Sequence, residues 1–230
     1  MRWHRALVTG ASAGIGAEVC RAFAERGTAV VLVGRDHVRL RAVAEPLKVA
    51  TELVVADLAT PHGRQQVSER LGSQNAPIDV LINNAAIGAS GWWDEIEPSR
   101  NVEMIETNVV AVQELLDAFL GATFARPEQA AALVNVASGA AVMPRPRQAV
   151  YAATKAYMLS LSESLHDQCA VRGVHVSCVL PGFTRTEFHQ LAGYRADDFP
   201  PGEVQFEPSD VAAAILEAAD RNTAVVKMVR

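Results

Sequence analysis

Thr9-Gly10-Ala11-Ser12-Ala13-Gly14-Ile15-Gly16 follows the apolar run Ala6-Leu7-Val8 and leads into a segment whose apolar residues Val19, Cys20, Phe23 and Ala24 recur at helical spacing. The pattern reads as a strand, a tight glycine turn and a helix start. Gly10 is free to take a positive φ in the turn. Gly14 and Gly16 let backbone N–H groups and the helix N-terminus come close to an anion. This is a phosphate-binding geometry, and its competitor is a plain glycine-rich strand-to-helix turn.

Working outward, Thr28-Ala29-Val30-Val31-Leu32-Val33 is almost wholly apolar, as suits a central parallel strand covered by helices on both faces. Gly34-Arg35-Asp36 follows. In a dinucleotide site the end of this strand faces the adenosine ribose, where a carboxylate accepts from the 2′-OH and an arginine pairs with a 2′-phosphate. Gly34 leaves the carboxylate position empty and Arg35 offers a guanidinium, which reads as an NADP-type site; otherwise Arg35 is a solvent-facing residue opening the helix over 37–43.

Further strands are expected over 52–56, 79–82, 131–137, 173–180 and 224–229. Asp57-Leu58 closes the first of these, and Asp57 either caps the helix from Thr60-Pro61, the favoured reading, or accepts from an adenine amino group. Asn83-Asn84-Ala85-Ala86 ends the next, with two amides suited to fixing a loop over a ligand. Ser138 stands at the end of the strand over 131–137, and Pro181-Gly182 stops the one over 173–180. The spacing predicts one helix over 99–124 with Asn108 as a buried amide that needs partners. Tyr151 and Lys155, at i,i+4, share one face of the next helix, where an ammonium beside the phenol favours phenolate and makes a proton donor and acceptor. Y-x-x-x-K alone is common by chance. His166 has no companion ligands at metal-binding spacing and reads as packing or surface.

The segment 183–206 is expected to cover substrate, with a short helix over 187–191, because Phe183, Phe188, Leu191, Tyr194 and Phe199 need somewhere to pack. Arg145 and Arg147 either contact an anionic substrate group or, the favoured reading, belong to a solvated loop. Trp92 and Trp93 either line an apolar pocket or anchor a loop. Ser209 is expected to cap the helix over 210–219.

With 230 residues, half of them hydrophobic (50%), the chain can build one substantial core, and nothing forces a second domain. The expected architecture is α/β: a single-domain Rossmann fold, residues 1–230, built on a doubly wound parallel sheet. A formal net charge of -5 does not favour a general nucleic-acid binder. Cys20, Cys169 and Cys178 are widely separated, which suggests reduced, buried thiols in a cytoplasmic protein. No apolar run approaches membrane-spanning length, and no signal peptide is read at the start.

Taken together, the glycine stretch, Asp57, Asn83-Asn84-Ala85, Asn108, Ser138, Tyr151, Lys155 and Pro181-Gly182 resemble the short-chain dehydrogenase/reductase family across essentially the whole chain. That resemblance implies NADP(H) lying across the carboxyl ends of the strands. Gly10, Ser12, Ala13, Gly14, Ile15, Gly16, Arg35, Asp57, Leu58, Asn84, Ala85, Tyr151, Lys155, Pro181, Gly182, Thr184 and Thr186 would hold it. It makes Tyr151 the general acid/base and Ser138 the hydrogen-bonding partner of the substrate oxygen. Lys155 would hold the nicotinamide ribose and lower the tyrosine pKa, with Asn108 supporting the lysine through an ordered water. No metal is required. Ala86 departs from the family's usual glycine after Asn-Asn-Ala. The short C-terminal strand leaves a homodimer through the helices over 101–119 and 151–165 as an alternative to the family's homotetramer.

The function so implied is hydride transfer between NADP(H) and a small to medium carbonyl or secondary alcohol, with a partly hydrophobic substrate. The competing reading is a noncatalytic NADP(H)-binding regulatory protein.

Overall fold

The computed structural model describes residues 3–195 and 205–228. Its strands are β1 (Arg5–Thr9), β2 (Ala29–Gly34), β3 (Thr51–Val55), β4 (Val80–Asn83), β5 (Ala131–Val136), β6 (Val174–Pro181) and β7 (Val225–Met228). They form one sheet, ordered β3-β2-β1-β4-β5-β6-β7, with every pairing parallel.

Side chains alternate across a strand, so each apolar strand feeds two cores. Val30 and Leu32 of β2, and Ala132 and Val134 of β5, face one core, whereas Val31, Val33, Ala131 and Leu133 face the other. The first core is closed by α1 (Gly14–Glu25), α2 (His37–Ala44) and α8 (Pro208–Arg221), through Phe23, Leu40 and Ile215. The second is closed by α3 (Pro61–Gly72), α5 (Ala111–Phe124) and α6 (Ala149–Ala170), through Leu71, Phe119 and Cys169. The expected doubly wound Rossmann sheet is what these strands build. All three cysteines are buried and free.

The chain winds from β1 to β2 and β3, then crosses back to β4 on the other side of β1. Such a reversal opens a crevice at the carboxyl ends of the two central strands. Thr9 fastens that crevice: its Oγ1 accepts from the backbone N–H groups of Asn84 (3.0 Å) and Ala85 (3.0 Å) and donates to the Ile82 carbonyl (3.3 Å). At the opposite end of the sheet the Asp79 carboxylate accepts from the backbone N–H of His4 (2.7 Å) and of Arg5 (2.8 Å).

Three local expectations are corrected. Thr60, not Asp57, caps α3, its hydroxyl accepting from Gly63 N–H at 3.1 Å, while Asp57 accepts from Ala59 N–H at 3.0 Å. Glu207, not Ser209, caps α8, in a reciprocal box with Asp210 that starts the helix two residues earlier than the serine would allow. The expected single helix over 99–124 is α4 (Pro98–Ile105) and α5 joined through a π-helical turn, Glu106–Val110, which carries Asn108. Among the described residues no helix is long and apolar enough to cross a membrane.

Candidate active site

The glycine turn takes the backbone its sequence suggests. Gly10 and Gly14 have φ of 66° and 52°, a region that L side chains rarely enter. Ala13 at the start of α1 makes no side-chain capping bond, so no side chain competes for the first N–H groups of the helix. Gly16 has a different task from its neighbours. A Cβ there would lie 2.2 Å from the Gly10 carbonyl oxygen, so Gly16 lets the helix press on the turn and does not line the cavity above it.

That cavity, of about 360 Å³, is continuous from the glycine turn and the end of β2 to α7 (Phe188–Leu191). Of the residues expected to hold a cofactor, Gly10, Ser12, Ala13, Gly14, Ile15, Arg35, Asp57, Leu58, Asn84, Ala85, Tyr151, Lys155, Pro181, Gly182, Thr184 and Thr186 all line it. Ala86 lines it too. Arg35 leaves β2 with its side chain 61% exposed and its guanidinium 3.9 Å from Glu103, too far for a strong pair. The Asp57-Leu58 rim is set from below, where the buried Arg64 donates to the carbonyls of Leu58 (3.3 Å) and Ala59 (3.1 Å). Asn84 turns its amide back onto the Thr9 carbonyl (2.9 Å), which holds the turn rather than the ligand space. Across the cavity, a Cβ on Gly14 would meet the Thr186 methyl at 3.0 Å, so the chain after β6 folds directly over the turn. These features fit a dinucleotide: a glycine cradle open at a helix N-terminus, and a cation at the ribose end.

Ser138, Tyr151 and Lys155 meet near the middle. Ser138 follows β5, and its Oγ accepts from Ala140 N–H at 3.2 Å as the chain turns through the short 3-10 helix Gly139–Ala141. Tyr151 lines the same cavity as Ser138. Burial pushes the Tyr151 phenol up to about 12, and the Ser138 hydroxyl opposes that rise. Lys155, 2% exposed, donates from Nζ to the Val136 carbonyl at 2.9 Å, with Nζ 5.8 Å from the Tyr151 ring centroid. Burial draws its pKa down to about 8. Burial is the largest influence on the phenol, and the Lys155 ammonium is turned to a strand carbonyl.

Asn108, fully buried, does not line the cavity. Its Oδ1 accepts from Ile87 N–H (3.0 Å), and its Nδ2 donates to the Ile87 carbonyl (2.9 Å) and to Thr154 Oγ1 (3.1 Å). Thr154 in turn donates to the Tyr151 carbonyl at 2.7 Å. Asn108 thus ties the loop after β4 to the tyrosine's own helix, a role served by the π turn that aims its amide.

Elsewhere the structure changes several readings. Arg145 is in the cavity wall, its Cζ 5.3 Å from the Phe183 ring centroid, and not in a solvated loop. Trp92 (58%) and Trp93 (72%) are exposed and line neither the cavity nor a packed anchor. His166 packs against the Val176 carbonyl at 2.7 Å. The expected covering segment places Phe188 on Tyr151, with ring centroids 5.5 Å apart. Its residues 196–204, including Phe199, lie outside the described residues. Arg39 was missed: it lines the cavity beside Arg35 and pairs with Glu187 at 2.7 Å. Its signal was a second arginine in the first turn of the helix that follows Arg35.

The sequence profile described as short chain dehydrogenase matches residues 4–194. The chain belongs to the short-chain dehydrogenase family. A short-chain dehydrogenase from Sphingobium yanoikuyae in complex with NADPH superposes with a TM-score of 0.89 at 34% identity, covering 97% of this chain and 87% of that one. The 3-ketoacyl-(acyl-carrier-protein) reductase from Brucella melitensis complexed with NADH superposes with a TM-score of 0.87 at 26% identity, covering 98% and 96%. The 3-oxoacyl-[acyl-carrier-protein] reductase of Escherichia coli is 30% identical over 182 residues, 79% of this chain and 74% of its own. The protein is thus a short-chain dehydrogenase-type oxidoreductase, of a family that binds nicotinamide cofactors. Ser138, Tyr151 and Lys155 line its cavity together.

Proposed function

We propose that the protein reduces a small to medium carbonyl compound to the alcohol with NADPH as cofactor. One observation carries this reading: Ser138, Tyr151 and Lys155 line the same cavity as Arg35 and Arg39. Bound there, a nicotinamide supplies the hydride. With its phenol pushed up to about 12, Tyr151 stands protonated at neutral pH, the form that delivers a proton to a carbonyl oxygen. Ser138 holds the same oxygen and polarises it as charge develops. The Lys155 ammonium, sealed between Val136 and Met158, contributes positive charge beside the phenolate left after proton delivery. Gly10, Ser12, Ala13, Gly14, Ile15, Asp57, Leu58, Asn84 and Ala85 would hold the adenosine and diphosphate, and Pro181, Gly182, Thr184 and Thr186 the nicotinamide side. The expected assembly is a homodimer or homotetramer; Val102 and Ile105 of α4, 57% and 44% exposed, offer apolar contact for it.

The test is Tyr151→Phe. It should leave NADPH binding within about threefold of wild type, read from cofactor fluorescence, and lower kcat on a reducible carbonyl by about 10²- to 10⁴-fold. A variant that turns over at the wild-type rate removes Tyr151 from the chemistry. Loss of NADPH binding by folded wild-type protein would remove the cofactor assignment.

A further inference from the structure

The segment that follows β6 concentrates rings. In a chain with only 6% aromatic residues, Phe183, Phe188 and Tyr194 come together with His189 on the wall of the cavity next to Tyr151. His189 is at their centre. Its ring lies 5.2 Å from Phe183 at a 32° tilt, 5.7 Å from Phe188 edge-on and 4.9 Å from Tyr194 edge-on. Phe188 then leads to Tyr151 itself, at 5.5 Å and 44°. These are the offset and edge-to-face arrangements that aromatic quadrupoles favour.

The wall is fixed from outside. Ser90 N–H donates to the Ala192 carbonyl at 2.7 Å, tying the end of α7 to the loop after β4. A Cβ on Gly88 would lie 2.8 Å from Phe188 Cζ, so the glycine is what admits the phenylalanine ring. Burial lowers the His189 pKa, which keeps its ring neutral at neutral pH and leaves the wall an uncharged aromatic surface. Arg145, over the Phe183 face, is the cation at its border.

Resting on the carbonyl-reductase reading above, we propose that the substrate is an aryl ketone or aldehyde. Its ring stacks on the wall of Phe183, Phe188, His189 and Tyr194, with the carbonyl one bond from the ring. The second condition comes from the contact of Phe188 with the Tyr151 ring: a ring stacked on this wall lies beside Tyr151, so a carbonyl attached to it without a spacer lies next to the proton donor. A saturated ring of the same size fills the space but offers no π face to the aromatic wall.

The test compares matched pairs at saturating NADPH: acetophenone against cyclohexyl methyl ketone, and benzaldehyde against cyclohexanecarbaldehyde. The expected result is a kcat/KM at least tenfold higher for the aryl member of each pair. In Phe183→Leu and Phe188→Leu, which keep apolar volume and lose a ring, the ratio should fall to about threefold or less. Retained NADPH binding shows that each variant is folded. A wild-type ratio of one or below, or a tenfold ratio that survives both substitutions, overturns the aryl assignment and leaves carbonyl reduction standing. Failure to turn over any of the four compounds by protein that binds NADPH overturns the carbonyl-reductase reading, and the aryl assignment with it.

Discussion

At the scale of single residues, charge placement at the β2 end of the cavity is the feature with the sharpest consequence. Arg35 and Arg39 line one end of the cavity, and they are not equivalent. The nearest acid to Arg35 is Glu103 at 3.9 Å, whereas Arg39 is already paired with Glu187 at 2.7 Å. A 2′-phosphate meeting Arg35 replaces water, but one meeting Arg39 must compete with a carboxylate. Surface pairs of this kind contribute about 0–1 kcal/mol, so the competition lowers the value of Arg39 without abolishing it. Arg35→Ala should therefore cost about tenfold in NADPH affinity, near 1.4 kcal/mol, and Arg39→Ala less. Neither should change NADH affinity by more than about twofold. Parallel fluorescence titrations of both variants with the two cofactors measure this. Equal loss for NADPH and NADH in Arg35→Ala would show that the arginine holds something other than the 2′-phosphate.

At the scale of elements, the site is held by buried amides that join strands to helices. Asn83 donates from Nδ2 to Asn135 Oδ1 (2.9 Å), Asn135 donates to Ser162 Oγ (2.9 Å), and Ser162 donates to the Met158 carbonyl (2.6 Å). This chain links β4, β5 and α6 one turn below Lys155. Asn135→Ala would leave the Asn83 amide buried without its acceptor and should cost about 2 kcal/mol in urea denaturation. Gln65→Ala, which removes an exposed bond to Glu69, should cost less than about 0.5 kcal/mol. Equal losses would show that the ladder carries no special weight. Such ladders mark what the sequence discloses and what it withholds. The strands were legible because β2 and β5 are apolar on both faces, and Tyr151 and Lys155 because helical spacing puts them on one face. The π turn at Glu106–Val110 was not legible, since Val102, Ile105, Val109 and Val112 repeat as they would in an uninterrupted helix. Asn108 was recognised as needing partners, but Ile87 and Thr154 reach it only through tertiary packing. Arg145 and His189 stayed hidden for the same reason: nothing in their neighbours shows which way a loop side chain turns.

At the scale of the whole molecule, a cationic lysine is carried where water has been removed, and folding stability should record that with pH. Lys155 has its pKa drawn down to about 8 from the ordinary lysine value of 10.5, so between these values the unfolded chain holds a proton that the folded chain has released. Stability contributed by this group therefore rises with pH across that window, and it is lost as pH falls through the folded value. Two buried neighbours act with the opposite sign. The Cys178 thiol is pushed up to about 11 and the Tyr151 phenol to about 12, so each favours the folded state less as pH climbs past its unfolded value. A comparison with Lys155→Met largely cancels those contributions, along with the fixed loss of the bond to Val136. Between pH 7.5 and 9.5 wild type should gain about 2 kcal/mol of unfolding free energy relative to the variant, measured by urea denaturation across that range. A difference that stays flat with pH would mean that Lys155 is as easily charged inside the fold as in water. In that case the ammonium would be fully formed across the working range and could not set an upper pH limit on reduction. A rising difference would place that limit near pH 8, where the charge beside the Tyr151 phenolate is lost.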